Sequence, residues 1–156
     1  MVYEPSPTAP EALRAILTEE WTTVPLRIPS GWEVRHNGLV ARRLSSGECE
    51  FSDSEDLLWL VKSPPPDGKP YETDPESPWR KLQVDLGCYG SNGEGAIIGT
   101  PSWDGCYRLS LLDPDWDHQT ATWTSKDIYE AIATLERWLH TLSWTGALTP
   151  DLVTTD

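Results

Sequence analysis

The sequence predicts an α+β domain in which an antiparallel β-sheet, a meander with an N-terminal hairpin, packs against an N-terminal and a C-terminal helix. Three observations predict this fold: an Asn-Gly pair between two apolar runs, several short alternating runs separated by turns, and apolar residues at helical spacing near both ends. Short strands joined by turns favour an antiparallel meander, because parallel crossovers need intervening helices. A length of 156 residues fits a single domain over 1–156, with its core within 30–143.

The N-terminal helix is predicted from Thr8-Ala-Pro-Glu11, which has the form of a capping box. Apolar residues follow it at helical spacing: Leu13, Ile16, Leu17 and Trp21. The hairpin is predicted from Asn37-Gly38, because this pair accepts the positive φ angles of a type I′ turn. The flanking runs 32–36 and 39–44 are therefore expected to pair with each other.

An acidic stretch precedes the apolar run 57–61 and contains Glu48, Glu50, Asp53, Glu55 and Asp56. With Ser52 or Ser54 as an N-cap and carboxylates in the first turn, this run predicts a short helix that ends at Lys62. Residues 63–78 are rich in proline, which removes backbone donors, and they predict a long loop without regular structure.

The second half of the chain predicts further strands and one long helix. Alternation of apolar with polar or small residues indicates strands over 82–88 and 107–111, with others at 96–98 and 120–124. The final helix is indicated by one apolar stripe: Ile128, Ile132, Leu135, Leu139 and Leu142. The polar tail 145–156 is expected to be flexible.

The charge balance is strongly acidic, with 25 Asp and Glu against 12 Lys and Arg and a net charge of −13. Such a field repels nucleic acid and anionic membranes and attracts a basic protein surface, although solubility alone is a sufficient reason for it. Three cysteines without a C-x-x-C motif, and an N-terminus without a signal-peptide pattern, favour a cytoplasmic protein with reduced thiols.

The sequence contains no complete metal-binding or phosphate-binding motif. The first three ligands of a calcium loop are matched by Asp113, Asp115 and Asp117. However, His118 stands where the loop requires Gly, and Thr124 stands where it requires the bidentate Glu. The glycine-rich segment 87–99 lacks the dinucleotide-binding and P-loop motifs. We therefore expect neither a metal site nor a cofactor.

The sequence shows no catalytic constellation. Its three histidines, His36, His118 and His140, are scattered, and no zinc motif or G-x-S-x-G element accompanies them. A triad with His118 is formally possible, but such combinations arise by chance in most sequences. We expect a protein that is not an enzyme.

Tryptophan is unusually frequent, with nine residues. Trp21, Trp32, Trp59 and Trp138 lie in apolar patterns, which predicts core positions. Trp79, Trp103 and Trp116 lie in polar loops, where they either pin the loop or act as anchors for a partner.

Several short motifs resemble those of small bacterial immunity proteins, which protect a cell from its own polymorphic or contact-dependent toxins. The resemblance covers about residues 30–143 and rests on Trp32-x-Val34-x-x-Asn37, Phe51, Glu55-Asp56-Leu57-Leu58-x-Leu60, Val84-Asp-Leu-Gly-Cys-Tyr89, Gly105-x-Tyr107-x-Leu109 and Trp138-Leu139. The proline-rich loop departs from the pattern. The resemblance implies a stoichiometric inhibitor that covers the active surface of a toxin, often a nuclease.

These observations together predict a cytoplasmic inhibitor that binds a basic toxin and is a monomer or weak dimer when free. The alternatives are a structural or assembly protein of a phage or secretion system, and an enzyme of an unrecognised family. The expected partner surface consists of Glu48, Glu50, Asp53, Glu55, Asp56, Trp103, Asp113, Asp115, Trp116 and Asp117.

Overall fold

The computed structural model describes residues 10–52, 54–89, 96–97 and 106–154. Within them the elements are α1 (Pro10–Ile16), β1 (Thr22–Thr23), β2 (Trp32–Asn37), β3 (Val40–Arg43), β4 (Cys49–Ser52), β5 (Leu58–Lys62), β6 (Gln83–Tyr89), β7 (Ala96–Ile97), β8 (Cys106–Leu112), β9 (Gln119–Ser125) and α2 (Ile128–Thr145). Short 3-10 helices occupy Trp116–His118 and Pro150–Leu152. The fold is α+β, as the sequence predicts, and strands outnumber helices among the described residues.

The strands form two antiparallel sheets. The larger has five strands in the order β2-β5-β6-β8-β9, and the smaller has the order β1-β3-β4-β7. The strands β5, β6, β8 and β9 follow one another in the meander that the alternating sequence runs predict, except that β7 between them joins the smaller sheet. The predicted strands over 82–88, 107–111 and 120–124 are confirmed within one or two residues.

The helix α2 covers one face of the five-stranded sheet, where it contacts β8 and β9. Its N-terminus is capped by the Asp127 side chain, which accepts a hydrogen bond from the backbone N–H of Tyr129, and its C-terminus ends at Gly146 with a φ of 73°. The predicted apolar stripe is buried in full. Burial of this face stabilises the helix far more than its intrinsic propensity does.

The two sheets share one apolar core. Ala41 and Phe51 of the smaller sheet, and Leu39 just before β3, belong to the same buried cluster as the inner face of the larger one. The ring of Phe51 meets that of Tyr129 on α2 edge to face, with centroids 5.5 Å apart.

The predicted hairpin between 32–36 and 39–44 is wrong. The strand β2 pairs with β5, while β3 pairs with β1 and β4. Neither Asn37 nor Gly38 adopts the positive φ that a type I′ turn needs. Their polar groups bond elsewhere, because Gly38 donates to the carbonyl of Leu57 and accepts from the hydroxyl of Ser52. The chain therefore crosses from one sheet to the other at this pair.

The glycine with a positive φ in this region is Gly47, at 90°, which lies between β3 and β4. Its backbone N–H donates to the carbonyl of Leu44, and these two strands form the hairpin.

The predicted helix over 57–62 is also wrong, because Leu58–Lys62 forms the strand β5. Leu58 and Leu60 are fully buried, whereas Trp59 is 42% exposed, which is the two-residue alternation of a strand. An apolar run of five residues is too short to separate a buried strand from a helix by periodicity. Residues 58–62 form a strand because they pair with β2 on one side and β6 on the other.

Both chain ends differ from their predicted extents. The helix α1 ends at Ile16, before Trp21, and Thr8 of the expected capping box lies outside the described residues. The segment after α2, where we expect flexibility, returns to the sheet: Leu152 is buried, and the backbone N–H of Thr154 donates to the carbonyl of Thr122. The proline-rich loop 63–78 contains neither helix nor strand, as its prolines predict.

Residues 54–57 cross over β6 beside Gly87. The backbone N–H of Cys88 donates to the carbonyl of Ser54, and that of Leu57 donates to the carbonyl of Leu86. A Cβ atom at position 87 would lie 2.1 Å from the carbonyl oxygen of Glu55. Glycine is thus required for the close approach of the two backbones.

We expect Gly87→Ala to lower the free energy of unfolding by about 2–4 kcal/mol, because a backbone contact cannot relax like a flexible side chain. The matched control is Gly47→Ala, where nothing lies within 4 Å of the new Cβ and only the backbone conformation opposes alanine. That control should lose about 1 kcal/mol. Urea denaturation measures the free energy of unfolding of both variants. Equal losses would contradict the close backbone contact at Gly87.

Candidate functional site

The outer face of the five-stranded sheet carries a row of side chains opposite the core. In the strand register, Trp59 of β5 lies beside Asp85 of β6, which lies beside Ser110 of β8. Their neighbours in sequence, such as Leu60, Val84 and Leu111, form the next row and point into the core. The alternation of each strand thus selects a tryptophan and a carboxylate for the outer face.

An open cleft of about 470 Å³ lies over this row. It is lined by Arg35, His36, Asp56, Leu58, Trp59, Asp85 and Trp116. Four of its seven residues come from β2 and β5, one from β6, one from the segment before β5 and one from the 3-10 helix Trp116–His118. The cleft therefore depends on the sheet order and not on one continuous motif.

The two tryptophans of the cleft are linked to each other through Gln83. The indole N–H of Trp59 donates to Oε1 of Gln83 over 2.8 Å, and Nε2 of Gln83 donates to the carbonyl of Pro114 over 2.7 Å. Gln83 thereby attaches the turn that bears Trp116 to the sheet. Trp59 is 42% and Trp116 56% exposed, which is unusual for rings of this size.

Asp85 lies in the cleft and is only 7% exposed. Its hydrogen bond is a long one of 3.5 Å, which Tyr89 donates to Oδ2. Burial, together with the nearby Asp56 carboxylate, raises the pKa of Asp85 from its ordinary 3.8 to about 6. At pH 7 the carboxyl group is therefore still mostly ionised, in a place where a charge is costly unless it is paired.

The rim of the cleft is formed by β2 and the segment before β5. Nε2 of His36 lies 3.0 Å from the carbonyl oxygen of Asp56, which holds the two chain segments together. The guanidinium of Arg35 is paired with Glu33 at 2.8 Å. The Asp56 side chain is exposed beside them.

Of the residues that the sequence predicts for a partner surface, Asp56 and Trp116 line the cleft together. Asp113 instead pairs with Arg80 at 3.2 Å, away from these residues. Asp115 bonds Nδ1 of His118 at 2.8 Å, and this bond raises the pKa of the imidazole and lowers that of the carboxyl group. Asp117 is exposed in the same turn.

The remaining predicted residues do not join the cleft. Glu48 precedes β4, and Glu50 on β4 pairs with Arg42 at 3.2 Å, so both belong to the smaller sheet. Glu55 is exposed next to Asp56. Asp53 and Trp103 lie outside the described residues.

Sequence reasoning missed Trp59 and Asp85. A helix over 57–62 assigns Trp59 to the core, whereas a strand places it on the face opposite Leu58 and Leu60. Asp85 stands between Val84 and Leu86 in an alternating run, and its charge was the signal that this position faces away from the core. The bridging role of Gln83, two residues earlier, follows only from the tertiary structure.

Among the described residues, no cluster of three or more His, Cys, Asp and Glu side chains has the arrangement of a metal site. In that same part of the chain, no helix combines the length and apolar character needed to span a membrane.

The chain matches no protein-family model, and no curated protein or solved structure is significantly similar to it. The features of the chain that bear on its function are therefore the cleft and the net charge.

We expect Asp85→Asn to raise the free energy of unfolding at pH 7 by about 1–2 kcal/mol, after allowance for solvent screening. The folded state keeps the Asp85 proton up to about pH 6, whereas the unfolded chain loses it near 3.8, so the native aspartate destabilises the fold as the pH rises between these values. At pH 4 the variant and the wild type should be about equally stable.

Thermal unfolding at both pH values measures this difference. The matched control is Glu19→Gln, an exposed carboxylate between α1 and β1, which should change stability little at either pH. A variant that is less stable than wild type at pH 7 would contradict the assignment of Asp85 as a strained buried charge.

Proposed function

We propose that this chain is an immunity or antitoxin-like protein that binds a toxin domain with a basic surface and thereby neutralises it. One observation carries the proposal: an exposed cleft combines two tryptophans with two carboxylates, in a protein whose net charge is −13. The motifs that resemble bacterial immunity proteins also support it, since Asp56 and Asp85 of the cleft are residues of those motifs.

The composition of the cleft is that of a protein-binding hot spot. Tryptophan supplies a large contact area at a low entropic cost, and a charged rim excludes wrong partners. The exposed Asp56 carboxylate and the net charge of −13 would repel a polyanion, so nucleic acid is a poor ligand for the same surface. A nuclease or another basic toxin domain has the complementary field and would associate rapidly with this chain.

The direct test is co-expression with the neighbouring open reading frame. We expect expression of that frame alone to arrest growth, and co-expression of this chain to restore it, with one copy of each protein in the purified complex. Growth curves and the mass of the complex measure the two effects. Unchanged toxicity in the presence of this chain would reject the proposal.

We further expect Asp56→Lys to slow association with the toxin at least fivefold at low salt and to weaken the salt dependence of the rate, because it reverses a charge at the rim of the cleft. Glu19→Lys makes the same change in net charge outside the cleft and serves as the matched control. Stopped-flow fluorescence of the tryptophans measures the rate. Equal slowing by both variants would mean that net charge alone, and not the cleft, steers the encounter.

A further inference from the structure

The cleft contains a nearly buried carboxylate that forms no salt bridge with the described residues. Asp85 is 7% exposed, and within the described part of the chain it takes part in no ion pair; its hydrogen bond from Tyr89 is long, at 3.5 Å. Asp56 adds a second carboxylate to the same cleft. Two carboxylates around a partly closed space attract a positive group, and a buried one gains most from such a partner.

Three basic side chains of this part of the sheet, Arg35, Arg108 and His36, contact groups other than Asp85. Arg35 pairs with Glu33 at 2.8 Å, and the guanidinium of Arg108 stacks over the ring of Tyr89 at 4.8 Å from its centroid. His36 is held against the carbonyl of Asp56. None of these contacts is a salt bridge to Asp85, so a cation supplied by a partner can pair with this carboxylate.

The walls of the cleft select the kind of cation. Trp59 and Trp116 present exposed indole rings, and indole attracts cations through its π face more strongly than the other aromatic side chains. A planar guanidinium stacks on an aromatic ring and still donates two parallel hydrogen bonds to a carboxylate, whereas an ammonium acts as a compact, strongly hydrated point charge. The cleft volume of about 470 Å³ accommodates a whole side chain of this length.

We infer that the cleft receives an arginine side chain of the toxin, with its guanidinium on Asp85 and Asp56 and its plane against Trp59 and Trp116. This inference rests on the proposed function and specifies it, because it names the side chain by which the basic partner is recognised. Arginine is enriched in binding hot spots, as is tryptophan, and hot spots tend to face each other across an interface.

The first experiment tests the chemistry of the cleft with the full chain and no toxin. Ac-Gly-Arg-Gly-NH2 is titrated while the indole N–H signals of the tryptophans are followed by NMR, after Trp59→Phe and Trp116→Phe assign the two signals. We expect both signals to shift, with a dissociation constant of the order of 1–10 mM at pH 7. The lysine peptide should bind about threefold more weakly, and the uncharged citrulline peptide should cause no saturable shift.

Two variants complete this experiment. Asp85→Asn should weaken binding of the arginine peptide at least fivefold, and Trp116→Ala should do the same without a loss of stability, since its ring is exposed. Glu19→Gln serves as the matched control and should bind as the wild type does. Absence of a shift up to about 20 mM peptide, or equal binding of the citrulline or lysine peptide, would overturn the inference.

The second experiment uses the purified complex with the toxin of the neighbouring frame. We expect Asp85→Asn and Trp116→Ala each to raise the dissociation constant at least tenfold, and Glu19→Gln to leave it unchanged. If the complex forms and both cleft variants bind as wild type does, the inference fails and the proposed function stands. If the arginine peptide binds but the chain neutralises no neighbouring toxin, the proposed function fails. In that case the assignment of the bound arginine to a toxin fails as well.

Discussion

The antiparallel register of β5, β6 and β8 is the constraint on which the rest of the structure depends. It aligns Leu60, Val84 and Leu111 in a row on one face and Trp59, Asp85 and Ser110 in the adjacent row on the other. A shift of one residue in any of these strands would expose the core row and bury the polar one. The apolar row belongs to the same buried cluster as the apolar face of α2, and this burial fixes the register that places a carboxylate beside a tryptophan on the outer face. Stability and the candidate site are therefore two consequences of one pairing.

Backbone contacts around this sheet complete the cleft. Residues 54–57 cross β6 at Gly87. Because Gly87 has no side chain, the two backbones approach closely, and Asp56 lies beside β6, the strand that carries Asp85. On the opposite side, Gln83 binds both the indole of Trp59 and the carbonyl of Pro114, so that the turn with Trp116 is held over the sheet. Each contact joins segments that are distant in sequence. The resulting surface combines two exposed tryptophans with negative charge, the two properties on which the proposed binding of a basic protein rests.

The elements predicted correctly from the sequence are those in which local pattern and tertiary burial agree. The stripe from Ile128 to Leu142 has one apolar face, one N-cap and a C-terminal glycine, and it forms the helix α2. The elements predicted wrongly are those in which a local preference was outweighed by pairing. Asn37-Gly38 favours a tight turn, but β2 gains more from pairing with the buried strand β5 than from folding back on β3. The carboxylates before Leu57 resemble the first turn of a helix, but Leu58 and Leu60 are both buried only in a strand.

The sequence by itself determined the α+β class, the C-terminal helix, the alternating strands, the acidic character and two residues of the cleft, Asp56 and Trp116. These features depend on composition and on periodicity within about ten residues, which are readable along the chain. Only the tertiary structure decided which strands pair, and hence that Trp59 and Asp85 share one face and that the other acidic groups are engaged elsewhere. Strand pairing is a non-local choice, settled by the burial of whole faces against each other, and a single stretch of sequence does not contain that information.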